Sequence, residues 1–295
     1  MGSGHKGLKE TCMGKSSTGR PIRVAFQGEQ GAFSHMAIQQ LFGPEVEAVP
    51  CQQFELVFRA VAEKQVDSAM IPVENTLHGS VHENYDHLLR FDLPIVAETS
   101  VRIVHNLIAP PGVRFGSLQR VFSHPVALNQ CLDFFRSNPQ LESVPFYDTA
   151  GSVKMLAEEK PEAAGAIASA LAAKLYGCRI LKRSIEDDRQ NFTRFVLLRR
   201  EAQPDASAPK GYKTSLVFTT RNVSGALFRA LSAFALRDIS LAKIESRPLR
   251  GKPWEYLFYL DLVGHTSEPR VVNALNHLRE LADMLRVLGC YPRWS

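Results

Sequence analysis

The chain is expected to be an α/β protein in two parts, and three observations predict it. From Ile22 to Arg200, short apolar segments alternate with helical segments whose apolar residues recur at three- and four-residue spacing. From Lys213 onward the order changes to βαββαβ within about 80 residues, the split-βαβ, ferredoxin-like arrangement. Between them EAQPDASAPKGY, residues 201–212, holds two prolines and a glycine and reads as a linker.

In order, RVAFQG is a strand ending at glycine, and HMAIQQLFG is a helix closed by Gly43. FELVFRAVAEKQV is a second amphipathic helix, and DSAMIPVEN is a buried strand ending at Glu74 and Asn75. Strand, loop, helix, strand is the wording of a parallel sheet, in which ligands gather at the carboxyl ends of strands. LPIVAETSVRIVHNLIAP gives two strands, followed by RVFSHP (strand to turn), VALNQCLDFFRS (helix), SVPFYD (strand) and TAGSVKMLAEE (helix). EAAGAIAS runs from strand into helix, the small-residue-rich run 163–177 reads as a packed helix, and RFVLLRR is the last strand of this part. These repeats suggest two lobes with a cleft between them. In the second part KTSLVFT, SGALFRALSAFAL, DISLAKIESRP, WEYLFYLDLVG, EPRVVNALNHLRELA and MLRVLGCYP supply the six elements. A small sheet with two helices on one face leaves an open face or edge, so a homodimer or homotetramer is expected.

Composition excludes several classes. The 295 residues are 45% hydrophobic and 22% charged, an ordinary globular balance, and the net charge of +5 is spread along the chain. That bias suits an anionic small substrate; without a basic stripe or recognition helix, no nucleic-acid partner is expected. The most apolar run is too short to span a bilayer, so no membrane partner is expected. Five cysteines without a CxxC pair argue against disulfides or structural zinc and for a reducing compartment, cytoplasmic, or the plastid stroma for a plant or algal source. Residues 1–20 lack an apolar signal core and read as a disordered tail.

Several strand-end loops carry small or polar residues. QGEQGAFSH places Gly31, Ala32 and Ser34 at a strand-to-helix turn, either an ordinary glycine turn with Ser34 as helix cap or an anion site. It lacks GxGxxG spacing, and no P-loop is present. PVENTLHGSV puts Glu74, Asn75 and Thr76 at a strand end, where Asn75 offers a donor and an acceptor or simply starts an Asx turn. His78, His82 and His87 lack HExxH spacing and a third ligand, so no metal is expected. In SHPVALNQC, Ser123 leaves a strand and Gln130 sits one turn into the following helix, a carboxylate-binding pair or a capped helix; without a His and Asp arrangement in a GxSxG context no serine hydrolase is expected. DTAGSV holds Thr149, Ala150 and Gly151 at another helix start, and NFTRF places Thr193, Arg194 and Phe195 on the last strand. Together these loops describe a polar cleft for a small anion, with no metal and no cofactor.

QGEQGAFSHMA, IPVENTLHGSV, SHPVALNQC, DTAGSV, AIAS and NFTRF, in this order, resemble the catalytic domain of prephenate dehydratases and of plant arogenate dehydratases. SGALFRALSAF and KIESRP resemble the GAL and ESRP motifs of the ACT domain in the same enzymes, and the resemblance covers about residues 22–294. With the tail over 1–20 and the linker over 201–212 already read from composition, it implies a two-lobed catalytic domain like a type 2 periplasmic binding protein over 21–200 and an ACT domain over 213–295. It also implies a cofactor-free reaction: prephenate loses CO2 and its ring hydroxyl to give phenylpyruvate. The alternatives are arogenate as substrate, giving phenylalanine, or a non-catalytic amino-acid sensor. By resemblance Thr193, Asn75, Ser123 and Gln130 are catalytic, with Thr193 acting on the leaving hydroxyl. Arg194 anchors a substrate carboxylate, and Phe195, Gly31, Ala32, Ser34, Glu74, Thr76, Thr149, Ala150 and Gly151 complete the binding site. Asn222, Gly225, Ala226, Leu227, Glu245, Ser246, Arg247 and Pro248 are implied to bind L-phenylalanine as allosteric effector, with Ser224 standing where proline often precedes GAL.

Overall fold

The computed structural model describes residues 20–202, 211–249, 251 and 255–294. All but the last residue of the expected tail, and the linker over 203–210, lie outside them. The chain divides into two compact units, one running to Phe91 and resuming over Thr99–Val196, the other formed by Asp92–Glu98 and the chain from Leu197.

In the first unit, β1 (Arg23–Gln27) lies between β2 (Glu47–Cys51) and β3 (Ser68–Asn75), parallel to both. β3 is neighboured in turn by β11 (Phe192–Leu198), and β4 (Gly79–Ser80) folds back on its end. Helices α1 (Phe33–Phe42), α2 (Phe54–Ala62) and α3 (His82–Arg90) accompany this sheet. A parallel sheet covered on both faces must be apolar on both sides. Val24, Ala25, Phe26, Ala69, Met70 and Ile71 are accordingly fully buried. β2 and α3 were not expected: EAVPC carries Pro50, which suits its edge position, and HENYDHLLR is mostly polar, burying only Asn84, Tyr85 and Leu88.

The second lobe of this unit has its own sheet, in the order β10 (Arg179–Lys182), β6 (Asn106–Ala109), β9 (Ala164–Ala168), β7 (Arg120–Ser123), β8 (Glu142–Pro145). The run 163–177 is not one packed helix: β9 ends at Ala168, and the hydroxyl of Ser169 after it accepts from Ala172 N–H at 3.0 Å and caps a separate helix α7 (Ala170–Leu175). The segment expected as one helix over 126–137 is likewise two, α4 (Pro125–Asn129) and α5 (Leu132–Arg136). The Asp187 carboxylate accepts from Leu132 N–H at 2.8 Å and Asp133 N–H at 3.0 Å, starting the second helix afresh. α6 (Thr149–Glu159) follows β8 as expected.

The second unit forms a sheet in the order β13 (Leu241–Pro248), β14 (Tyr256–Val263), β12 (Tyr212–Thr219), β15 (Met284–Pro292), with β5 (Ile95–Arg102) beyond β15. The β5 pairing is made at Ile95 opposite Gly289, where a Cβ would stand 2.2 Å from the Ile95 carbonyl oxygen, so only glycine fits. Helices α8 (Ala226–Ala235) and α9 (Pro269–Leu281) pack on the core made by Leu216, Phe218, Leu260, Leu262, Phe234 and Leu278. Each such side chain contributes about 1.5–3 kcal/mol on burial. Among the described residues no helix is long and apolar enough to cross a membrane.

Candidate active site

A cavity of about 460 Å³ opens where the strand ends and helix starts of the first unit converge. Ala32, Phe33 and Ser34 come from the β1–α1 turn, and Asn75 from the end of β3. His124, Ala127 and Gln130 come from the turn and helix after β7, Tyr147, Asp148 and Thr149 from the start of α6, and Thr193 and Phe195 from β11. His105 lines the same space.

Thr193 and Phe195 face the cavity together because alternate residues of a strand share a side. Arg194 therefore points the other way: its Nε lies 3.6 Å from the Glu74 carboxylate, and neither residue lines the cavity. Phe192 is exposed and Phe195 buried, so only the second phenylalanine anchors the strand. Ser123 is fully buried and donates to the Ile167 carbonyl at 2.6 Å; it too is absent from the lining. Thr76 donates to the Gln190 carbonyl at 2.7 Å outside the cavity. Gln130 is not one turn inside a long helix but the residue at which α4 ends, and that break turns its side chain to the cavity.

Asn75 is the hub. Its Oδ1 accepts from Leu77 N–H at 2.9 Å and His78 N–H at 3.0 Å. Its Nδ2 donates to Asn191 Oδ1 at 2.7 Å and Thr193 Oγ1 at 3.0 Å. Asn191 Nδ2 donates to Gln130 Oε1 at 2.9 Å, and the same oxygen lies 2.7 Å from His105 Nε2. Because Thr193 Oγ1 accepts from Asn75, its own hydrogen is free to point into the cavity. Burial holds the His105 imidazole below its usual pKa, so it is neutral at pH 7.

The glycine turn is held by packing and not by a serine cap. Ala32, not Ser34, is the residue before α1, and no side chain caps that helix. Its first-turn N–H groups are thus available to an anion. Gly31 has φ +92°, and a Cβ there would stand 2.6 Å from Ala172 Cα, while Ser169 Oγ donates to its carbonyl at 2.6 Å. Beside the same turn, Asp148 Oδ1 caps α6 by accepting from Gly151 N–H at 2.7 Å, while its Oδ2 lies against Gly28, where a Cβ would stand 2.9 Å from it. Burial raises the carboxyl pKa of Asp148 above its usual value. Ala150 and Gly151 are buried within α6 behind Thr149, and they do not line the cavity. Glu29 accepts from Tyr147 OH and Lys154 Nζ, both at 3.1 Å, joining the glycine turn to the start of α6. Among the described residues no lysine or arginine lines the cavity. Among the described residues no three His, Cys, Asp or Glu side chains gather as a metal site.

His105, Asn191 and Asp148 were not singled out from sequence. A lone histidine in VRIVHNL, an asparagine in a polar turn and a helix-capping aspartate each have an ordinary local role. For the first two, the contact each makes with Gln130 spans 25 and 61 positions.

The second unit has a smaller cavity of about 110 Å³, lined by Asn222, Ala226 and Leu227 together with Tyr256 and Phe258. Gly225, at φ +77°, starts α8 beside it. Ser246 and Pro248 pair in register with Phe258 and Tyr256, so the ESRP strand borders the cavity without lining it. Glu245 pairs with Lys243 at 3.1 Å, and Arg247 lies opposite Leu257.

A two-lobed α/β body with a cavity at its strand ends, in which a few polar side chains are set in a largely apolar lining, followed by a βαββαβ unit with a pocket at a helix start, defines a small-molecule enzyme carrying an ACT domain. The chain belongs to the prephenate dehydratase family: the prephenate dehydratase model matches residues 24–203 and the ACT domain model residues 214–280. It is 45% identical over 285 residues to an Arabidopsis thaliana protein named arogenate dehydratase/prephenate dehydratase 2, chloroplastic, covering 94% of this chain and 74% of that protein. Arogenate dehydratase 2 of Petunia hybrida is 44% identical over 293 residues, covering 94% and 73%. Among solved structures, the prephenate dehydratase of Arthrobacter aurescens in complex with L-Phe has a TM-score of 0.84 at 33% identity, covering 92% of this chain and 90% of that one. A structure titled GqqA, a novel type of quorum quenching acylases, has a TM-score of 0.86 at 34% identity, covering 92% and 98%.

Proposed function

We propose that the chain catalyses decarboxylating dehydration, with arogenate preferred and prephenate as second substrate. The observation that carries the reaction is Thr193, its oxygen held by the Asn75 amide and its hydrogen free in the cavity. The bond to the ring carboxylate breaks, and its electron pair completes the aromatic ring as the ring C–O bond breaks. The departing hydroxyl takes one proton, supplied in the net reaction by solvent, and leaves as water. Arogenate then yields phenylalanine and prephenate yields phenylpyruvate, each with CO2. Aromatisation drives this step, so the protein has only to hold the substrate and stabilise the charge developing on the leaving oxygen. Thr193 donates to that oxygen. The uncapped start of α1 suits a carboxylate, a role for which Arg194 is turned the wrong way.

Asp148 supports the preference for arogenate, whose side chain carries an ammonium where prephenate has a ketone. A carboxylate in the wall of a cavity without lysine or arginine complements that ammonium and gives a ketone nothing. The plant relatives named above carry arogenate in their names. Steady-state kinetics on both substrates test the reading. Asp148→Asn, which keeps a good helix cap, is expected to lower kcat/KM about tenfold or more for arogenate and far less for prephenate. Equal losses on both would remove Asp148 from substrate choice, and no turnover of either substrate by the unmodified chain would reject the reaction and leave an amino-acid sensor. An acylase reading is disfavoured because the partner of Thr193 is an amide that cannot take its proton, and Ser123 is buried on a carbonyl.

L-Phenylalanine is assigned to the second unit as a feedback effector, supported by the pocket at Asn222, Ala226 and Leu227 and by the L-Phe complex of the Arthrobacter aurescens relative. We take residues 21–200 as the catalytic domain, 201–212 as the linker and 213–295 as the ACT domain, in an enzyme of at least two copies. We place it in the cytoplasm, or in the stroma of a plastid-bearing cell.

A further inference from the structure

The amide chain between His105 and Thr193 has a direction, and backbone groups set it. Asn75 Oδ1 is occupied by the N–H groups of Leu77 and His78, so its NH2 must be the side turned to Asn191 Oδ1 and Thr193 Oγ1. Having presented its oxygen to Asn75, Asn191 presents its NH2 to Gln130 Oε1. Gln130 therefore shows oxygen, not nitrogen, to His105 Nε2 at 2.7 Å, and that ring nitrogen must carry the hydrogen. The other ring nitrogen, Nδ1, is buried with no hydrogen-bond partner among the described residues, so these surroundings offer no acceptor for a second proton. His105 is thus a fixed donor, anchored through its backbone N–H to the Glu186 carboxylate at 3.0 Å.

We propose that His105 and Asn191 are positioning residues for the dehydration: they grip the Gln130 carbonyl oxygen from two sides and so turn the Gln130 NH2 into the cavity as a second donor beside the Thr193 hydroxyl. The proposal rests on the reading of Thr193 given above. Thr193 and Gln130 then present donors to a leaving hydroxyl and a substrate carboxylate, both of which accept. With the His105 donor removed, the Gln130 amide is held by Asn191 alone and can rotate its oxygen toward the substrate, where it repels the same groups.

His105→Phe and His105→Gln test this, with turnover measured on arogenate and prephenate and folding checked by circular dichroism and thermal unfolding. His105→Phe is expected to lower kcat about ten- to a hundredfold, more than it raises KM, the loss expected for one misplaced donor in a buried network. His105→Gln, whose amide N–H reaches roughly the place of Nε2, is expected to recover most of it. Should His105→Phe not fold, Asn191→Asp replaces the second grip with an oxygen that repels Gln130 and is expected to show the same kcat loss. Independently of any substrate, nitrogen-15 NMR of the unmodified enzyme should show His105 as a neutral imidazole protonated at Nε2. A folded His105→Phe enzyme with normal kcat, no recovery in His105→Gln, or an Nδ1-protonated ring would overturn the proposal. Thr193→Ala separates the two failures: if it retains turnover the reaction assignment is at fault, and if it is inactive while His105→Phe is normal, only the positioning role falls.

Discussion

Thr193 is a poor acid, yet its surroundings ask only for a hydrogen bond at the right moment. The leaving oxygen gains negative charge as its bond to the ring breaks, and a hydroxyl whose lone pair is already tied to Asn75 has its hydrogen aimed outward before substrate arrives. Thr193→Ala is accordingly expected to lower kcat by about 10² to 10⁴ fold, while Thr193→Ser, keeping the hydroxyl, retains a measurable fraction. Saturating-substrate kinetics decide it, and a kcat for Thr193→Ala within threefold of normal, as an approximate bound, would remove the hydroxyl from the mechanism. At this scale the strand positions of Asn75 and Thr193 were readable in the chain, whereas Gln130, expected one turn inside a helix, stands where that helix ends. Arg194 was misplaced despite a rule that could have placed it, since neighbours on a strand face opposite sides and Thr193 already faces inward. His105 and Asn191 had no local mark because their partners arrive from other elements.

Among the elements, the glycine turn before α1 shows how closely the lobes are fitted. Gly31 combines φ +92° with a Cβ position 2.6 Å from Ala172 Cα on α7, so alanine there meets both backbone strain and a clash with backbone. Gly31→Ala is expected to cost about 1–3 kcal/mol of stability, a fall of roughly 2–10 °C in melting temperature, and to raise KM by moving the start of α1 away from the substrate. Calorimetry with parallel kinetics reads both, and an unchanged melting temperature would show that the turn relaxes freely. Gly31 was legible as a turn; its role as a packing contact was not, because Ala172 follows some 140 positions later in the chain. The split of the 126–137 segment was hidden for the same reason, its second helix being started by the distant Asp187 carboxylate.

For the whole molecule, element order revealed both parts, because periodicity is a local signal and the βαββαβ sequence is contiguous. The inclusion of Asp92–Glu98 in the second unit could not be read, since that segment looks like any strand of the first. The second unit also leaves apolar surface unexplained by its own core: on α8, Phe228 is 76% exposed, and Leu236 directly after it is 75% exposed. Phe228 follows Ala226 and Leu227, which line the small cavity, so a second copy covering α8 would close over the effector pocket as well. In that arrangement assembly and feedback would be one property. The enzyme is expected to sediment as a dimer or larger and to lose turnover when L-phenylalanine is added. Phe228→Glu combined with Leu236→Glu is expected to shift it to monomer and to weaken the phenylalanine response at least about tenfold, because charges on both residues oppose burial of that face. Turnover without phenylalanine should stay near normal, since neither residue is in the catalytic unit. Sedimentation velocity with inhibition curves distinguishes the outcomes: a monomeric but still inhibited double variant would separate the effector site from the interface, and an unmodified enzyme that is already monomeric would require another cover for Phe228.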